Sequence, residues 1–249
     1  MSTIFISNSV FRDNLASTGG ALYIDLSIVS LTSCTIVGNE ANPKEAGGIS
    51  VASSFVSIIL CTIEGNVAGI YGGGLVTGGN FENSLLETSA QVGTEGIGAQ
   101  LTGKSESMIA QLTISGSQVV GNTASDGSGG GIFVGQGSNG TITDTHFESN
   151  TAAGSGSASV GGGGLYHNGV SDEVALGLQL VLSGVSFSDN VDEGFGQAHD
   201  LFSLSANTVV LETCPTQDGY YFLAQEGAAL TTNEGGTASG TLSSFTCLA

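Results

Sequence analysis

A short pattern, an apolar residue followed three positions later by Asn, recurs along the chain at a nearly constant interval. Successive apolar members stand 25, 27, 29, 27, 28 and 40 residues apart. The seven copies are Phe11/Asn14, Ile36/Asn39, Ile63/Asn66, Val92/Glu95, Val119/Asn122, Phe147/Asn150 and Phe187/Asn190. The fourth copy has Glu95 in place of Asn and is counted because it divides a gap of 56 residues into 29 and 27. Self-similarity at a fixed period of this length predicts a solenoid in which each repeat forms one coil.

Each copy is preceded by a strand pattern. Apolar residues stand seven and five positions before most of the apolar anchors, with polar residues between them, which is the signature of a strand with one buried face. The apolar pairs are Ile4/Ile6, Val29/Leu31, Val56/Ile58, Leu112/Ile114 and Leu180/Leu182, while the sixth copy has Gly140/Ile142 and the fourth has Leu85/Glu87.

A glycine cluster follows each of several copies and leads into a second strand. Examples are Gly47-Gly48-Ile49 and Gly72-Gly73-Gly74-Leu75. Glycine suits a sharp corner at which backbones approach closely. The stretch between Asn and the glycines varies in length, so we expect it to be an outward loop.

These signals predict an all-β fold, a parallel β-helix of about 7–9 coils with a C-terminal cap. We expect residues 1–205 to form the repeats and residues 206–249 to form a C-terminal coil or cap of the same domain. A leucine-rich repeat is the competing interpretation, because Leu31-x-x-Cys34-x-Ile36-x-x-Asn39 has its spacing. Its second Leu position is never Leu here, and glycine runs stand where its convex side needs apolar and helix-forming residues.

The repeated Asn residues are expected to stack in a column on successive coils. An amide side chain both donates and accepts hydrogen bonds, so a column of amides can satisfy turn backbone groups and one another. Binding of a ligand by the same row is the less favoured alternative. The residues of this predicted ladder are Asn14, Asn39, Asn66, Asn122, Asn150 and Asn190.

The charge of the chain restricts its partners. There are 22 acidic and 3 basic residues, giving a net charge of −19, and Arg12, Lys44 and Lys104 are the whole supply of cations. Nucleic acid binding needs several cations to displace counterions, so we do not expect nucleic acid as a partner. An anionic membrane surface would repel the chain because of its negative charge. No apolar run approaches the ~18 residues of a membrane helix. No signal peptide is visible, so we expect a mature product or an excised piece of a longer protein, without membrane insertion.

The four cysteines fall into two pairs. Cys34 and Cys61 share a repeat position 27 residues apart, so adjacent coils would bring them either to disulfide distance or into a stack of free thiols. Cys214 and Cys247 bracket the end of the chain, where a disulfide would close the cap. Both pairings favour an oxidising, extracellular setting. Asn139-Gly140-Thr141 is an N-glycosylation sequon in a Gly/Ser loop before a strand.

The sequence offers no clear catalytic constellation. Glycosidases use paired carboxylates, but the position before each ladder Asn forms no acidic row. Asp189, Asp192 and Glu193 are the densest acidic group and could hold Ca²⁺ weakly, although a solvated loop is favoured. His146, His167 and His199 lack metal-ligand spacing. We therefore expect no enzyme activity, no catalytic residue, no metal and no cofactor. Ice binding is disfavoured because regular Thr-x-Thr rows are not apparent.

The motifs Gly19-Gly20-Ala21 and Gly47-Gly48-Ile49, with Phe11-x-x-Asn14, Phe147-x-x-Asn150 and Phe187-x-x-Asn190, resemble the chlamydial polymorphic outer membrane protein repeats over about residues 1–200. That resemblance implies a right-handed parallel β-helix exposed on a cell surface, often for adhesion. We expect an extracellular structural or adhesive module, in one form a filament subunit, that contacts copies of itself, surface components or glycans. The alternative is a carbohydrate-binding or carbohydrate-active β-helix protein.

Overall fold

The chain folds into a stack of parallel β-coils. The computed structural model describes residues 2–78, 109–154, 161–168, 179–193, 200–204, 209–211, 221–224, 229–232, 237–239 and 243–244. In these residues every regular element is a strand, and the strands form four sheets that run along the stack. This arrangement confirms the predicted parallel β-helix. It excludes the leucine-rich repeat, because glycine corners and strands stand where helices would be needed.

Sheet A holds the first and longest strand of each coil. Its strands, in order along the stack, are β1 (Ser2–Ser7), β5 (Ser27–Thr32), β9 (Phe55–Ile59), β13 (Ala110–Ser115), β17 (Ser138–Thr143), β21 (Leu180–Ser183), β25 (Val209–Leu211), β27 (Ala229–Thr232) and β28 (Thr237–Ser239). The sequence pairs that precede each anchor occupy its inward columns. Ile4 pairs with Val29 and Ile6 with Leu31, and the same register continues to Leu180 and Leu182.

Sheets B and C lie on either side of the Asn corner. Sheet B carries the apolar anchors and consists of β2 (Val10–Arg12), β6 (Thr35–Val37), β10 (Thr62–Glu64), β14 (Gln118–Val120), β18 (His146–Glu148) and β22 (Ser186–Ser188). Sheet C consists of β3 (Leu15–Ala16), β7 (Glu40–Ala41), β11 (Val67–Ala68), β15 (Thr123–Ala124), β19 (Thr151–Ala152) and β23 (Val191–Asp192). Sheet C was missed by the sequence patterns, since two residues are too few to show alternation.

Sheet D follows the glycine clusters. Its strands are β4 (Leu22–Asp25), β8 (Ile49–Ala52), β12 (Leu75–Thr77), β16 (Ile132–Val134), β20 (Leu165–Asn168), β24 (Leu201–Leu204), β26 (Tyr221–Ala224) and β29 (Ser243–Ser244). Parallel pairing continues past residue 205 through β25, β26 and β27. It changes to antiparallel at β28 and β29, near the end of the chain.

The coils leave no rung for the degenerate fourth copy. Strand β9 pairs directly with β13, and Ile63 of β10 pairs directly with Val119 of β14. The expected coil around Val92 and Glu95 is therefore wrong as a rung between these neighbours, and both residues lie outside the described residues. Periodicity alone favoured the extra coil because the gap of 56 residues is close to two periods.

The interior is a continuous column of aliphatic side chains with aromatic rings near one end. Leu31, Ile36, Ile58 and Ile63 are fully buried in successive coils, and the rings of Phe147 and Phe187 stack with centroids 4.9 Å apart. Burial of each such side chain contributes about 1.5–3 kcal/mol. Each inner face is covered by its own coil and the neighbouring coils, so stability is shared between adjacent rungs.

Sheet D is buried on both faces in the middle of the stack. Its outward column includes Phe133, Tyr166 and Phe202, whose rings stack at 5.0 and 5.2 Å. Tyr71, from the loop after β11, packs on Phe133 at 4.8 Å. Burial raises the pKa of the Tyr166 phenol. The outer side of sheet D is thus a second apolar layer, which the sequence analysis did not expect.

The corner before each ladder Asn has a left-handed backbone. The residues there are Asp13, Gly38, Gly65, Gly121, Ser149 and Asp189, with φ between 53° and 63°. Glycine adopts this conformation without strain, and short polar residues tolerate it better than bulky ones. The backbone requirement therefore explains the mixture of Gly, Asp and Ser in this column.

Candidate interaction surface

The six predicted ladder residues form one hydrogen-bonded column inside the coil. In each of the first five, the side-chain Nδ2 donates to the Oδ1 of the next Asn, at 2.8–3.0 Å. That same Oδ1 also accepts the backbone N–H of the preceding Asn in the column, at 2.9–3.1 Å. A second bond from Nδ2 reaches a carbonyl of the preceding coil, as from Asn66 to Ile36 O at 2.9 Å. Asn39 through Asn190 are fully buried, so the column ties the coils together from within.

The ladder ends on a buried carboxylate. Nδ2 of Asn190 donates to Oδ1 of Asp200 at 2.9 Å and to the carbonyl of Phe147 at 3.0 Å. Asp200 stands where the preceding coil has Gly164, since Leu165 N donates to Asp200 O as Ile132 N donates to Gly164 O. The sequence analysis missed Asp200, because neither its period nor its neighbours mark it as a member of the column.

The acidic group proposed from sequence is divided between two environments. Asp192 points inward at the sheet C position that Ala152 occupies one coil earlier, and it is fully buried. Asp189 and Glu193 are exposed to solvent. Among the described residues, no three His, Cys, Asp or Glu side chains come together in a group that could hold a metal ion.

Cys34 and Cys61 stack in the interior as free thiols. The backbone N–H of Cys34 donates to Sγ of Cys61 at 3.3 Å, and the thiol of Cys34 donates to the carbonyl of Thr32 at 3.4 Å. Burial is the main cause that raises the pKa of the Cys61 thiol. Of the two alternatives left open by the sequence, the disulfide is therefore wrong, and the stack of free thiols acting as small core residues is confirmed. Cys214 and Cys247 lie outside the described residues.

The glycosylation sequon lies in a strand and not in the loop expected from sequence. Asn139 is the second residue of β17, pairs in register with Gln111 and is only partly exposed. Its Oδ1 accepts the backbone N–H of Gln179 at 3.2 Å. The side chain of Asn139 lies on the outer side of sheet A, and glycosylation at this residue stays a prediction.

His146 and His167 lie on opposite sides of the coil: His146 faces outward and His167 faces the interior. His146 is on the outer face of sheet B, where Nδ1 is 2.7 Å from Ser186 Oγ and Nε2 is 3.4 Å from Glu148 Oε2. This resembles a serine, base and carboxylate arrangement in its order. However, the backbone N–H groups of His146 and Ser186 donate within the stack, to Ser117 O and Thr145 O. Neither is free to stabilise an oxyanion, which acyl transfer requires.

His167 points into the interior of the solenoid. It pairs with Val134 on one rung and Ser203 on the next, and 1% of its surface is exposed. Its Nδ1 is 3.1 Å from Ser203 Oγ. Burial lowers the pKa of His167 to about 4, so the imidazole is neutral at physiological pH. His199 lies outside the described residues.

The outer side of sheet A is uncharged along its described length, although the chain has a net charge of −19. None of its described strands contains Asp, Glu, Lys, Arg or His. Sheet B, by contrast, carries Arg12, Glu64 and Glu148 on its strands. We call the outward columns of β1, β5, β9, β13, β17 and β21 the uncharged face.

Three outward columns make up the uncharged face. The central column is Phe5, Ser30, Ser57, Thr113, Thr141 and Val181. One flanking column is Ser7, Thr32, Ile59, Ser115, Thr143 and Ser183, and the other is Thr3, Ile28, Phe55, Gln111 and Asn139. Neighbouring rungs are about 4.8 Å apart and neighbouring columns about 6.7 Å apart, so six rungs present a surface about 24 Å long.

The stacked coils, the inward aliphatic columns and the Asn ladder define a parallel β-helix repeat protein. A family model described as the right-handed beta helix region matches residues 2–237, so the chain belongs to the right-handed β-helix family. No curated protein and no solved structure gives a significant match. No helix in the described residues could span a membrane. Since β-helices carry many unrelated functions, family membership alone does not assign one.

Proposed function

We propose that the chain is an extracellular structural or adhesive module without enzyme activity. The observation that carries the proposal is the uncharged face, which presents short polar side chains on each of its six rungs and aligns four of them, from Ser30 to Thr141, in its central column. A rigid array of equivalent positions allows many weak contacts to act together, which increases avidity without any single strong site. The resemblance to polymorphic outer membrane protein repeats also supports a place at a cell surface.

The internal architecture supports a mechanical role. The Asn ladder and the aliphatic columns connect every described coil from β1 to β22, so a load on one rung is shared with its neighbours. The buried free thiols remove one of the two cysteine arguments for an oxidising compartment. The extracellular location therefore rests on the resemblance and on the acidic, solvated exterior.

A binding and turnover assay tests this proposal. The purified chain is incubated with a panel of insoluble extracellular materials, including neutral polysaccharides, acidic polysaccharides and matrix proteins. Retention on at least one material without new reducing ends or unsaturated products is the expected result. Sugar products would favour the carbohydrate-active alternative, and retention on none of the materials would contradict adhesion. Negative-stain microscopy at high concentration tests the filament form, for which end-to-end rods are expected.

A further inference from the structure

The uncharged face has the chemistry of a surface that contacts a neutral, hydroxylated polymer. We propose that it binds a neutral polysaccharide lying across the rungs, an inference that rests on the adhesive function proposed above. Three features of the face support it: hydroxyls without a side-chain hydrogen bond among the described residues, exposed apolar side chains beside them, and the absence of charge along its described strands.

The central hydroxyls of the face are available to a ligand. In the described structure, Ser30, Ser57, Thr113 and Thr141 form no side-chain hydrogen bond with the protein, so their donors and acceptors meet solvent. A hydroxyl both donates and accepts, as sugar hydroxyls do, and a neutral pair of this kind forms without burying charge. Repetition on successive rungs provides several such contacts to a ligand that is itself a repeating polymer.

Apolar side chains lie beside these hydroxyls in the first three coils. Phe5 is 80% exposed, Ile28 41%, Phe55 37% and Ile59 36%. Ile28 and Phe55 are paired on adjacent rungs, so they form a contiguous apolar strip. Sugar rings present flat C–H surfaces, and aromatic and aliphatic side chains pack against such surfaces. A face with both hydroxyls and apolar strips therefore suits sugar rings better than a fully apolar partner.

Two leucines at the corners of the face carry a conformational cost. Leu26 has a φ of 48° and is 56% exposed, and Leu60 has a φ of 53° and is 62% exposed. The left-handed conformation costs a residue with a Cβ about 1–2 kcal/mol, and little burial offsets it here. Other coils place Ser33 or Gly116 in the column of Leu60. Leu26 adds apolar surface at the corner before Ile28, and Leu60 adds it at the opposite corner, after Ile59.

The charge of the face and of the whole chain distinguishes three possible occupants of the uncharged face: a neutral polymer, a charged polymer and a second copy of the chain. A face without carboxylates offers no ion pairs to a cationic partner. An anionic polymer would meet a chain of net charge −19, and so would a second copy approaching face to face. Asp25 and Asp144 stand exposed at the corners on either side of the face and add to both repulsions. A neutral polysaccharide has neither cost.

The test compares two changes on different faces. Thr113→Glu with Thr141→Glu places two carboxylates in the central column, and Gln118→Glu places one on the outer side of sheet B in the coil of Thr113. The probes are microcrystalline cellulose, chitin and an insoluble neutral β-glucan, with calcium pectate as the acidic comparison. Binding is measured by depletion from solution, and folding is checked by circular dichroism and by the melting temperature.

Retention of the wild-type chain on at least one neutral probe, with weak retention on pectate, is expected. Binding should fall about ten-fold or more in the double variant and stay within about two-fold in Gln118→Glu, because a carboxylate loses hydration under a bound polymer. Equal binding of all three proteins would overturn the assignment to this face. Retention only on pectate, or only on the matrix proteins of the adhesion panel described under the proposed function, would overturn the ligand class while leaving adhesion intact. Thermal hysteresis without polysaccharide binding would overturn the proposal in favour of ice binding. A dimer that only the double change dissociates would overturn it in favour of a second copy of the chain as the occupant.

Discussion

Asn66→Ala tests whether the ladder holds the coils together. The Asn66 amide has four neighbours: its Oδ1 accepts from the N–H and the Nδ2 of Asn39, and its Nδ2 donates to Ile36 O and to Asn122 Oδ1. Alanine removes all four bonds while leaving the backbone unchanged. The backbone N–H of Asn39 then loses its acceptor in a fully buried environment.

The expected loss of stability follows from these contacts. A buried donor without a partner costs about 1–3 kcal/mol, and each of the three other lost bonds costs about 0.5–1.5 kcal/mol. We expect the free energy of unfolding to fall by about 3–5 kcal/mol, which is large for one substitution. Asn14→Ala is the matched control, because Asn14 is exposed at the end of the ladder and its side chain gives up one bond, to Asn39 Oδ1. Its cost should be about 1 kcal/mol or less.

Urea denaturation followed by far-ultraviolet circular dichroism compares the two variants with the wild-type chain. Hydrogen exchange adds a local measurement, and protection at the Asn39 amide should be lost in Asn66→Ala. If the two substitutions cost the same within about 1 kcal/mol, the ladder does not connect the coils in the way the hydrogen bonds indicate.

Three further changes test other features. His167→Val should remove a loss of stability at acid pH, because the pKa of His167 is about 4 in the folded chain and 6.5 in the unfolded chain. Between pH 7.5 and pH 5 the free energy of unfolding of the wild-type chain should therefore fall by about 2 kcal/mol relative to the variant, as measured by urea denaturation at both pH values. A difference between the two proteins that does not depend on pH would contradict this. Gly73→Ala should lower the free energy of unfolding by more than about 3 kcal/mol, because the added methyl would overlap Gly130 O and Thr123 N. Gly65→Ala is the control: the added methyl meets open space, and only the φ of 60° should cost about 1–2 kcal/mol. Equal melting temperatures of the two variants would refute the close approach of neighbouring backbones at Gly73. Leu60→Gly should raise stability by about 0.5–1 kcal/mol by relieving its left-handed strain, and a lower melting temperature would show that its contacts outweigh the strain.

The sequence was sufficient to predict the fold because every coil of a solenoid is specified by the same local pattern of residues. The inward pairs, the apolar anchors and the ladder Asn recur at fixed offsets, and each coil needs the same corner as the one before it. Alternation around Val29 and Leu31 therefore predicted sheet A with its correct register. The register of the anchors along sheet B was likewise predicted, with the exception of the copy at Val92.

The tertiary structure decided what depends on which coils become neighbours. Strand pairing, and not periodicity, showed that no coil lies between the coil of Ile63 and the coil of Val119, because a periodic pattern does not say which copies become neighbours. The interior position of Cys34 and Cys61 as thiols, and the place of Asp200 at the end of the ladder, are also set by stacking.

The uncharged face is likewise produced by the stacking of the coils. Its polar and apolar residues are scattered through the sequence, and they become one surface only when parallel pairing aligns alternate positions of six strands. The sequence by itself determined which way each side chain points from its strand, because alternation is a local property of the backbone. The assembly of those side chains into a continuous surface was decided by the tertiary structure, because it depends on contacts between coils far apart in the chain.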